Sequence, residues 1–184
     1  MANRLTRIYT RTGDDGTTGI GNNIRVNKDS PRIESIGTID ELNSIIGMVL
    51  AHTLPDAVTD SLIDVQNDLF DLGGELAMPD YTAITQHYVQ RLESQLDAFN
   101  DALPVLKEFI LPAGGIATSS CHLARSVCRR AERCMVALHR EEALNPQAIA
   151  YINRLSDLLF VIARVLARHE NGAEVLWQPR KNQE

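Results

Sequence analysis

The stretch TSSCHLARSVCRRAERCMVAL, residues 118–138, has the periodicity of an amphipathic α-helix. Successive side chains on a helix lie about 100° apart, so this stretch separates into two arcs. The predicted packing arc consists of small and apolar residues: Leu123, Ala124, Val127, Cys128, Ala131, Cys134, Met135 and Leu138. The opposite arc is polar and rich in arginine: Thr118, His122, Arg125, Arg129, Glu132 and Arg133. The stretch predicts a helix with one face in a core.

The arginines of that helix indicate a polyanionic ligand. A guanidinium group stays charged at any working pH and donates two parallel hydrogen bonds to phosphate oxygens. The alternative is an ordinary solvated face, on which Glu132 relieves the repulsion between Arg129 and Arg133.

A second helical pattern, residues 148–168, favours the ligand interpretation. Its apolar arc contains Leu155, Leu158, Leu159, Ile162 and Leu166, and its opposite arc contains Asn153, Asp157, Phe160 and Arg164. Asn and Asp are poor helix formers, so their presence together on one stripe indicates ligand binding or bonds between helices. The alternative, two polar residues that face water, stays open for Asp157.

Length and composition predict one domain, residues 1–184. The 184 residues are 44% hydrophobic, which is enough for a substantial core, and the net charge of −6 argues against general nucleic-acid binding. Apolar runs long enough to span a membrane, about 18 residues, do not occur. The start, Met1–Thr12, lacks the apolar region of a signal peptide. We expect a cytoplasmic protein without nucleic-acid or membrane partners.

The cysteines and histidines do not predict a metal centre. Cys121, Cys128 and Cys134 lie on one predicted helix without a Cys-x-x-Cys pair, which favours reduced thiols that fill packing space over a zinc site. The five histidines are scattered, and no Glu is followed three residues later by His, as in carboxylate-bridged di-iron bundles.

Pro and Gly divide the chain into five predicted helices, and we therefore expect an all-α, up-and-down bundle. Their approximate bounds are 31–52, 56–77, 85–102, 118–140 and 146–169, with Thr118 or Ser119 as the cap of the fourth. Residues 1–30 form a non-helical N-terminal segment, residues 31–170 the bundle and residues 171–184 a tail.

Two connecting segments have unusual composition. The connection 104–115 contains an apolar run, Phe109–Leu111, and is either a ligand-facing loop or a tucked-in connector. The N-terminal run 10–19 contains four Thr, three Gly and two Asp. Such residues suit phosphate and magnesium, because backbone N–H groups and hydroxyls donate to phosphate and carboxylates hold the metal. The run lacks a Walker A ending, and flexible termini often have this composition.

Together these segments resemble the PduO-type ATP:corrinoid adenosyltransferases over about residues 7–170. Six motifs carry the resemblance in order: YTRTGDDGTT at 9–18, GTIDELN at 37–43, QNDLFDLG at 66–73, FILPAGG at 109–115, ARSVCRRAER at 124–133 and YINRLSDLLF at 151–160. Two departures concern the corrinoid side. Leu158 and Leu159 stand where some relatives place an aromatic residue, and the tail carries Trp177 where others end in a corrinoid-contacting phenylalanine.

The resemblance implies a homotrimer with active sites between subunits, which transfers the 5′-deoxyadenosyl group of ATP to cob(I)alamin. It assigns to the ATP site Thr10, Arg11, Thr12, Gly13, Asp14, Gly16, Thr17, Thr18, Lys28, Arg129, Glu132, Arg133 and Asn153. Arg125 would pair with Asp40 of a neighbouring subunit, and Phe109 would face the corrinoid. Arg129, Arg125, Asp40 and Phe109 are therefore the predicted catalytic set.

The implied cofactors and partners are ATP, Mg²⁺ bound through the ATP phosphates, the corrinoid, a flavoprotein reductant and an adenosylcobalamin-dependent acceptor enzyme. Cob(I)alamin is itself a strong nucleophile, so such an enzyme needs positioning and charge stabilisation rather than a catalytic triad. Trp177 supplies aromatic cover for the corrinoid or docks on a neighbour. Two alternative functions stay open, a carrier of adenosylcobalamin and an ATP-sensing helical regulator.

Overall fold

The computed structural model describes residues 8–78 and 80–179, and within them five α-helices form a bundle. The helices are α1 (Pro31–Leu50), α2 (Asp56–Ala77), α3 (Gln86–Asp101), α4 (Ile116–His139) and α5 (Pro146–Asn171). The predicted all-α, five-helix architecture is confirmed, with helix ends that differ from expectation by two residues or fewer. Residues 1–7, on which the signal-peptide prediction partly rests, lie outside the described part, as do Pro79 and tail residues 180–184.

The core lies where α4 packs between α1 and α5, while α2 packs on α1 and α3 packs on α5. Leu42, Ile46, Leu62, Leu155 and Leu159 are fully buried. Each buried leucine or isoleucine side chain contributes roughly 1.5–3 kcal/mol, so burial along these faces stabilises the bundle. No helix within the described residues is long and apolar enough to cross a membrane.

The segment before α1 is non-helical as predicted, apart from a single 3₁₀ turn, but it has more structure than its composition indicates. Strands β1 (Thr17–Gly19) and β2 (Arg25–Asn27) pair antiparallel, with Thr18 opposite Val26. The 3₁₀ turn Gly21–Asn23 connects them. Arg25 and Lys28 of the hairpin segment bond to the preceding Gly- and Thr-rich loop, at the Thr12 and Gly13 carbonyls.

The start of α4 differs from the predicted cap. The helix begins at Ile116, two residues before Thr118, because Glu170 at the end of α5 caps it. Its carboxylate accepts hydrogen bonds from the N–H groups of Ala117 (3.1 Å) and Thr118 (3.0 Å) and from the Thr118 hydroxyl (2.5 Å). A Cβ atom at Gly115 would lie 2.3 Å from the Glu170 carboxyl carbon, so a side chain at this position would displace Glu170 from the cap.

The faces of α4 were partly predicted wrongly. Leu123, expected to pack, is 50% exposed, whereas Thr118 and His122, expected on the polar face, are buried. Because α4 has neighbours on two sides, α1 and α5, its buried arc is wider than that of a surface helix.

The cysteines of α4 pack as reduced thiols, as predicted. Cys121 donates to the Leu159 carbonyl (3.3 Å) and Cys128 to the Ile152 carbonyl (3.2 Å). Burial raises the pKa of Cys121 to about 12, so its thiol stays protonated. No group of three metal-ligating side chains occurs within the described residues.

Candidate active site

The predicted phosphate-binding residues of α4 and α5 lie side by side. Asn153 Nδ2 donates to Glu132 Oε1 across 2.7 Å, and Arg133 Nη1 donates to the Arg129 carbonyl across 3.0 Å. Arg129, Arg133 and Asn153 are exposed, so their remaining donors are free to reach a ligand. Glu132 on α4 and Asn153 on α5 lie at the same edge of the interface between the two helices, so these side chains are neighbours.

This edge borders a cavity of about 770 Å³ between α4, α5 and the connection that follows α3. Arg125, Arg129 and Arg154 line it together with Asp157 and Phe160. Asp157 accepts from Arg154 across 2.8 Å and is exposed, which agrees with its interpretation as a solvent-facing residue. With Arg164, four guanidinium groups face this cavity against the two carboxylates of Asp101 and Asp157, which gives it the positive charge that an anionic ligand needs.

Arg125 connects this cavity to a second one of about 510 Å³, which is lined by Phe109, Ile110, His122 and Phe160. The guanidinium carbon of Arg125 lies 6.0 Å from the centre of the Phe160 ring. Its buried Nε has no hydrogen-bond partner within the described residues. The cationic cavity and the apolar cavity are therefore neighbours that share Arg125 and Phe160.

His122 is the one titratable side chain with a large pKa shift among the residues lining the apolar cavity. It is 3% exposed, and its Nδ1 has no partner in the described part of the chain. Burial, together with the charge of Arg125, lowers the pKa of His122 to about 4. The imidazole is neutral at physiological pH and adds no charge to the cavity.

Phe109 lies at the rim of the apolar cavity, and the residue is 78% exposed. Its loop pairs with the C-terminal tail through a bridge between Ile110 and Leu176. The ring of Trp177 meets that of Phe109 edge to face at 6.2 Å. Within this chain, Trp177 therefore covers the loop that was expected to face the corrinoid, and the loop is not a tucked-in connector.

The N-terminal loop has a defined conformation. Lys28 Nζ donates to the Gly13 carbonyl (2.8 Å), and the Lys28 N–H donates to the Gly16 carbonyl (2.9 Å). Gly16 has φ 85°, a left-handed conformation that favours glycine. Thr10 and Thr12 share a hydrogen bond between their hydroxyls at 2.8 Å. Hydrogen bonds thus join Lys28 to the Gly13 and Gly16 carbonyls, which brings these assigned ATP-site residues together.

Two residues of this loop were missed in the sequence. The Asp15 carboxylate accepts from the Thr17 hydroxyl (2.7 Å) and N–H (3.0 Å), and these bonds lower the pKa of Asp15. Arg25 donates to the Thr12 carbonyl across 2.5 Å. Asp15, within the loop, and Arg25, on β2, therefore fix the shape of the loop.

Asp40 is exposed on α1 and lines neither of the two cavities that the arginine stripe borders. It borders an apolar groove of about 650 Å³ that runs from Thr18 of the hairpin to Phe70 of α2. Beside it, Asn43 and Gln66 exchange hydrogen bonds through side-chain amides and backbone carbonyls at 3.1 and 3.2 Å. Phe70 is 78% exposed, which leaves this groove open for a further contact.

The predicted site residues therefore form two separate halves. Residues 10–28 and Asp40 form the N-terminal half, and the stripe of α4 and α5 with Phe109 forms the C-terminal half. Within the described ranges, no hydrogen bond or ion pair joins the N-terminal loop to α4 or α5, and none joins Asp40 to Arg125. The cavities that border the two halves share no residue.

Comparisons with known proteins identify the family of this chain. The family model described as cobalamin adenosyltransferase matches residues 8–166. The chain belongs to this family. A cobalamin adenosyltransferase of Cupriavidus metallidurans is 54% identical over 97% of both chains, and a corrinoid adenosyltransferase of Bacillus subtilis is 45% identical over 94% of this chain and 92% of the relative.

A solved structure extends the likeness to three dimensions. A variant of the PduO-type ATP:corrinoid adenosyltransferase from Lactobacillus reuteri, complexed with cobalamin and ATP, superposes with a TM-score of 0.87 at 35% identity. The match covers 94% of this chain and 100% of that one. The family, the enzyme class and the helical fold expected from the sequence are thereby confirmed.

Proposed function

We propose that this chain transfers the 5′-deoxyadenosyl group of ATP to the cobalt of cob(I)alamin and releases triphosphate. The observation that carries the proposal is the arginine stripe of α4 beside the apolar cavity under Phe109, in a member of the cobalamin adenosyltransferase family. One cavity suits a polyphosphate, and the other suits a large, largely apolar ring.

The reaction balances with these two substrates alone. The electron pair of cobalt(I) forms the cobalt–carbon bond, the bond between the ATP C5′ and its oxygen breaks, and triphosphate leaves with that oxygen and its electron pair. No proton has to be removed from the nucleophile. The protein must hold the two substrates in line and stabilise the charge of the departing triphosphate.

Arg129 and Arg133 would neutralise that charge. A charge-assisted hydrogen bond from arginine to phosphate contributes roughly 1.5–3 kcal/mol, and a bond that strengthens as triphosphate leaves lowers the barrier. Glu132 fixes Asn153, which leaves the amide oxygen of Asn153 free to accept from the nucleotide. Lys28, Gly13 and the Thr10–Thr18 turn would hold the phosphates from the other half of the site.

We infer that a complete site needs two subunits and that the assembly is a homotrimer. The N-terminal half of one copy would close over the arginine stripe of the next. Asp40 would then pair with the Arg125 of the neighbouring copy, which supplies the unpartnered Nε with an acceptor. The exposed ring of Phe70 and the apolar groove beside Asp40 would be covered at the same time.

Magnesium fits this site through ATP rather than through a protein cage. The N-terminal loop carries two exposed carboxylates, Asp14 and Asp15, and no cluster of three ligating side chains occurs in the described ranges. The ion, when bound, would neutralise phosphate charge. Asp14 would hold it directly or through water, with the phosphate oxygens as the main ligands.

Phe109 would exclude water from the corrinoid face and favour the base-off form, in which cobalt is easier to reduce. A flavoprotein would supply the electron for cob(II)alamin, and an adenosylcobalamin-dependent enzyme would accept the product. These two partners and the cytoplasmic location stay predictions.

The test is to mix the purified protein with ATP and chemically reduced cob(I)alamin. The proposal predicts the absorption spectrum of adenosylcobalamin together with one triphosphate per turnover. Arg129→Ala should lower kcat/KM for ATP by roughly tenfold to a hundredfold, and Arg129→Lys should recover it only in part. Arg140→Ala, an exposed arginine at the end of the same helix, is the matched control. A carrier or an ATP sensor would bind one substrate without turnover.

A further inference from the structure

A buried ion pair lies behind the loop that carries Phe109. Arg164 on α5 is 4% exposed, and its Nε donates to Glu174 Oε1 across 2.9 Å; the side chain of Glu174 is 6% exposed. Arg168 donates to the other oxygen, Oε2, across 2.7 Å. Arg164 was expected on the polar face of its helix and lies instead in the interior. Because two arginines pair with this one buried carboxylate, we interpret Glu174 as a residue that fixes the position of its own segment of the chain.

Arg164 holds two segments of the chain at once. Its Nη2 donates to the Pro104 carbonyl across 2.6 Å, at the start of the connection that leads to Phe109. Its Nε holds Glu174, at the start of the tail that leads to Trp177. The same guanidinium group therefore sets where both segments leave the bundle.

The two segments then pair as a short antiparallel ladder. The Leu111 N–H donates to the Val175 carbonyl and the Trp177 N–H donates to the Phe109 carbonyl, both across 2.8 Å. The Trp177 ring meets Phe109 at an interplanar angle of 77°. Phe109 is 78% exposed even with the tail in place. Without the tail it would lose Trp177, its one aromatic partner within the described residues.

We propose that Glu174 and Arg164 are positioning residues that hold the tail strand 175–177 against the Phe109 loop and so set the aromatic wall of the apolar cavity. The inference rests on the proposed function, because it assigns that cavity to the corrinoid. Glu174 lines neither cavity and acts through Trp177 and Phe109. Arg164 also lines the cationic cavity, so the substitutions that test the proposal are made at Glu174 and Trp177.

Trp177 is the only tryptophan of the chain, so its fluorescence reports on the tail directly. Glu174→Gln keeps the shape of the side chain and removes its charge. In the protein without substrates, this change should shift Trp177 emission to longer wavelength and raise its quenching by iodide, because the strand is released into water. Asp68→Asn is the matched control, since Asp68 is an equally buried carboxylate paired with Arg91 between other helices.

Kinetics then separate positioning from a general loss of stability. With Glu174→Gln and with Trp177→Ala, we expect the KM for corrinoid to rise by roughly two- to tenfold, the range set by loss of one aromatic edge contact. The KM for ATP should stay within about twofold of wild type. Trp177→Phe keeps an aromatic edge on an intact strand and should restore most of the corrinoid KM. Asp68→Asn should alter neither KM.

The outcomes are distinguishable. Equal changes in both KM values, a corrinoid KM unaffected by Glu174→Gln, or the same corrinoid effect in Asp68→Asn would overturn the inference. Wild-type protein that makes no adenosylcobalamin would refute the proposed function. In that case quenching of Trp177 by added cob(II)alamin still tests the wall: quenching weakened by Glu174→Gln supports it, and absence of quenching in wild type rejects it.

Discussion

Asn153 on α5 donates a hydrogen bond from Nδ2 to Oε1 of Glu132 on α4, and this bond joins the two helices that carry the phosphate-binding stripe. Glu132 lies between Arg129 and Arg133 along the helix. The Glu132 carboxylate accepts from the Asn153 amide and, within the described residues, forms no ion pair with either arginine. The stripe therefore keeps guanidinium groups available for the triphosphate.

Asn153→Asp should weaken ATP binding without unfolding the bundle, because residue 153 is exposed. The substitution replaces the donor by a second carboxylate that faces Glu132 and the triphosphate. Loss of a hydrogen bond to a charged group costs roughly 1.5–3 kcal/mol, so the KM for ATP should rise by about tenfold or more. Gln90→Glu adds the same charge on the exposed face of α3 and serves as the control. A KM for ATP equal to that of the control would remove Asn153 from the site.

Asp40 and Arg125 should depend on each other across subunits. Removal of one partner of a buried ion pair costs on the order of 3–5 kcal/mol, so Asp40→Ala and Arg125→Ala should each weaken the trimer, and the double variant should be less severe than additive. Sedimentation over a range of concentrations measures this. The neighbouring pair Glu41 and Arg130 joins α1 to α4 within one chain at the surface, where a pair contributes only about 0–1 kcal/mol. Strict additivity, or a monomeric wild type, contradicts the pairing.

His122 should make the free energy of unfolding fall with acid. Its pKa is lowered from 6.5 to about 4 in the folded protein, so between these values the unfolded chain binds more protons and stability rises with pH. The full effect is up to about 3 kcal/mol, lost progressively as the pH falls from about 7 to 4. Denaturant unfolding at pH 7 and pH 5 should show a smaller pH dependence in His122→Gln than in wild type. His87→Gln, at an exposed position, should leave the dependence unchanged.

Phe109 should affect corrinoid chemistry and leave ATP affinity unchanged. Phe109→Ala removes an aromatic wall, and every proposed phosphate donor stays in place. Adenosylation that starts from cob(II)alamin should fall steeply, because the lower base can then reach cobalt and keep it hard to reduce. Cobinamide lacks that base and should suffer less. If ATP binding weakens as much as in Arg129→Ala, or if turnover of cob(II)alamin stays intact, Phe109 does not belong to the corrinoid side.

Local periodicity was sufficient to predict the five helices and the arginine stripe. The apolar spacing of α4 and α5 is a property of neighbouring residues, and α1 and α5 begin as predicted at Pro31 and Pro146, where proline suits the first helical turn. Helical spacing alone puts Arg125, Arg129 and Glu132 on one stripe of α4, whereas the resemblance to a known family was needed to assign Asn153 of α5 to the same site.

Contacts between distant segments were not predictable in this way. Glu170 caps α4 from 53 residues away, and Arg164 meets Pro104 from 60 residues away. An arginine or glutamate inside a helical pattern looks the same whether it faces water or a buried partner, so Arg164 was placed on the wrong face. The pairing of Trp177 with Phe109 depends on the path of the tail, which no local pattern encodes.

The central claim, that each active site takes its two halves from different subunits, is tested most directly by mixing two inactive variants. Lys28→Ala impairs the N-terminal half and Arg129→Ala the stripe of α4. If equal amounts of the two are unfolded and refolded together, random assembly leaves about one quarter of the sites with both halves intact. The account predicts recovery of about that fraction of wild-type adenosylation, well above the mean of the two variants alone. Activity no higher than that mean would show that each site lies within a single subunit.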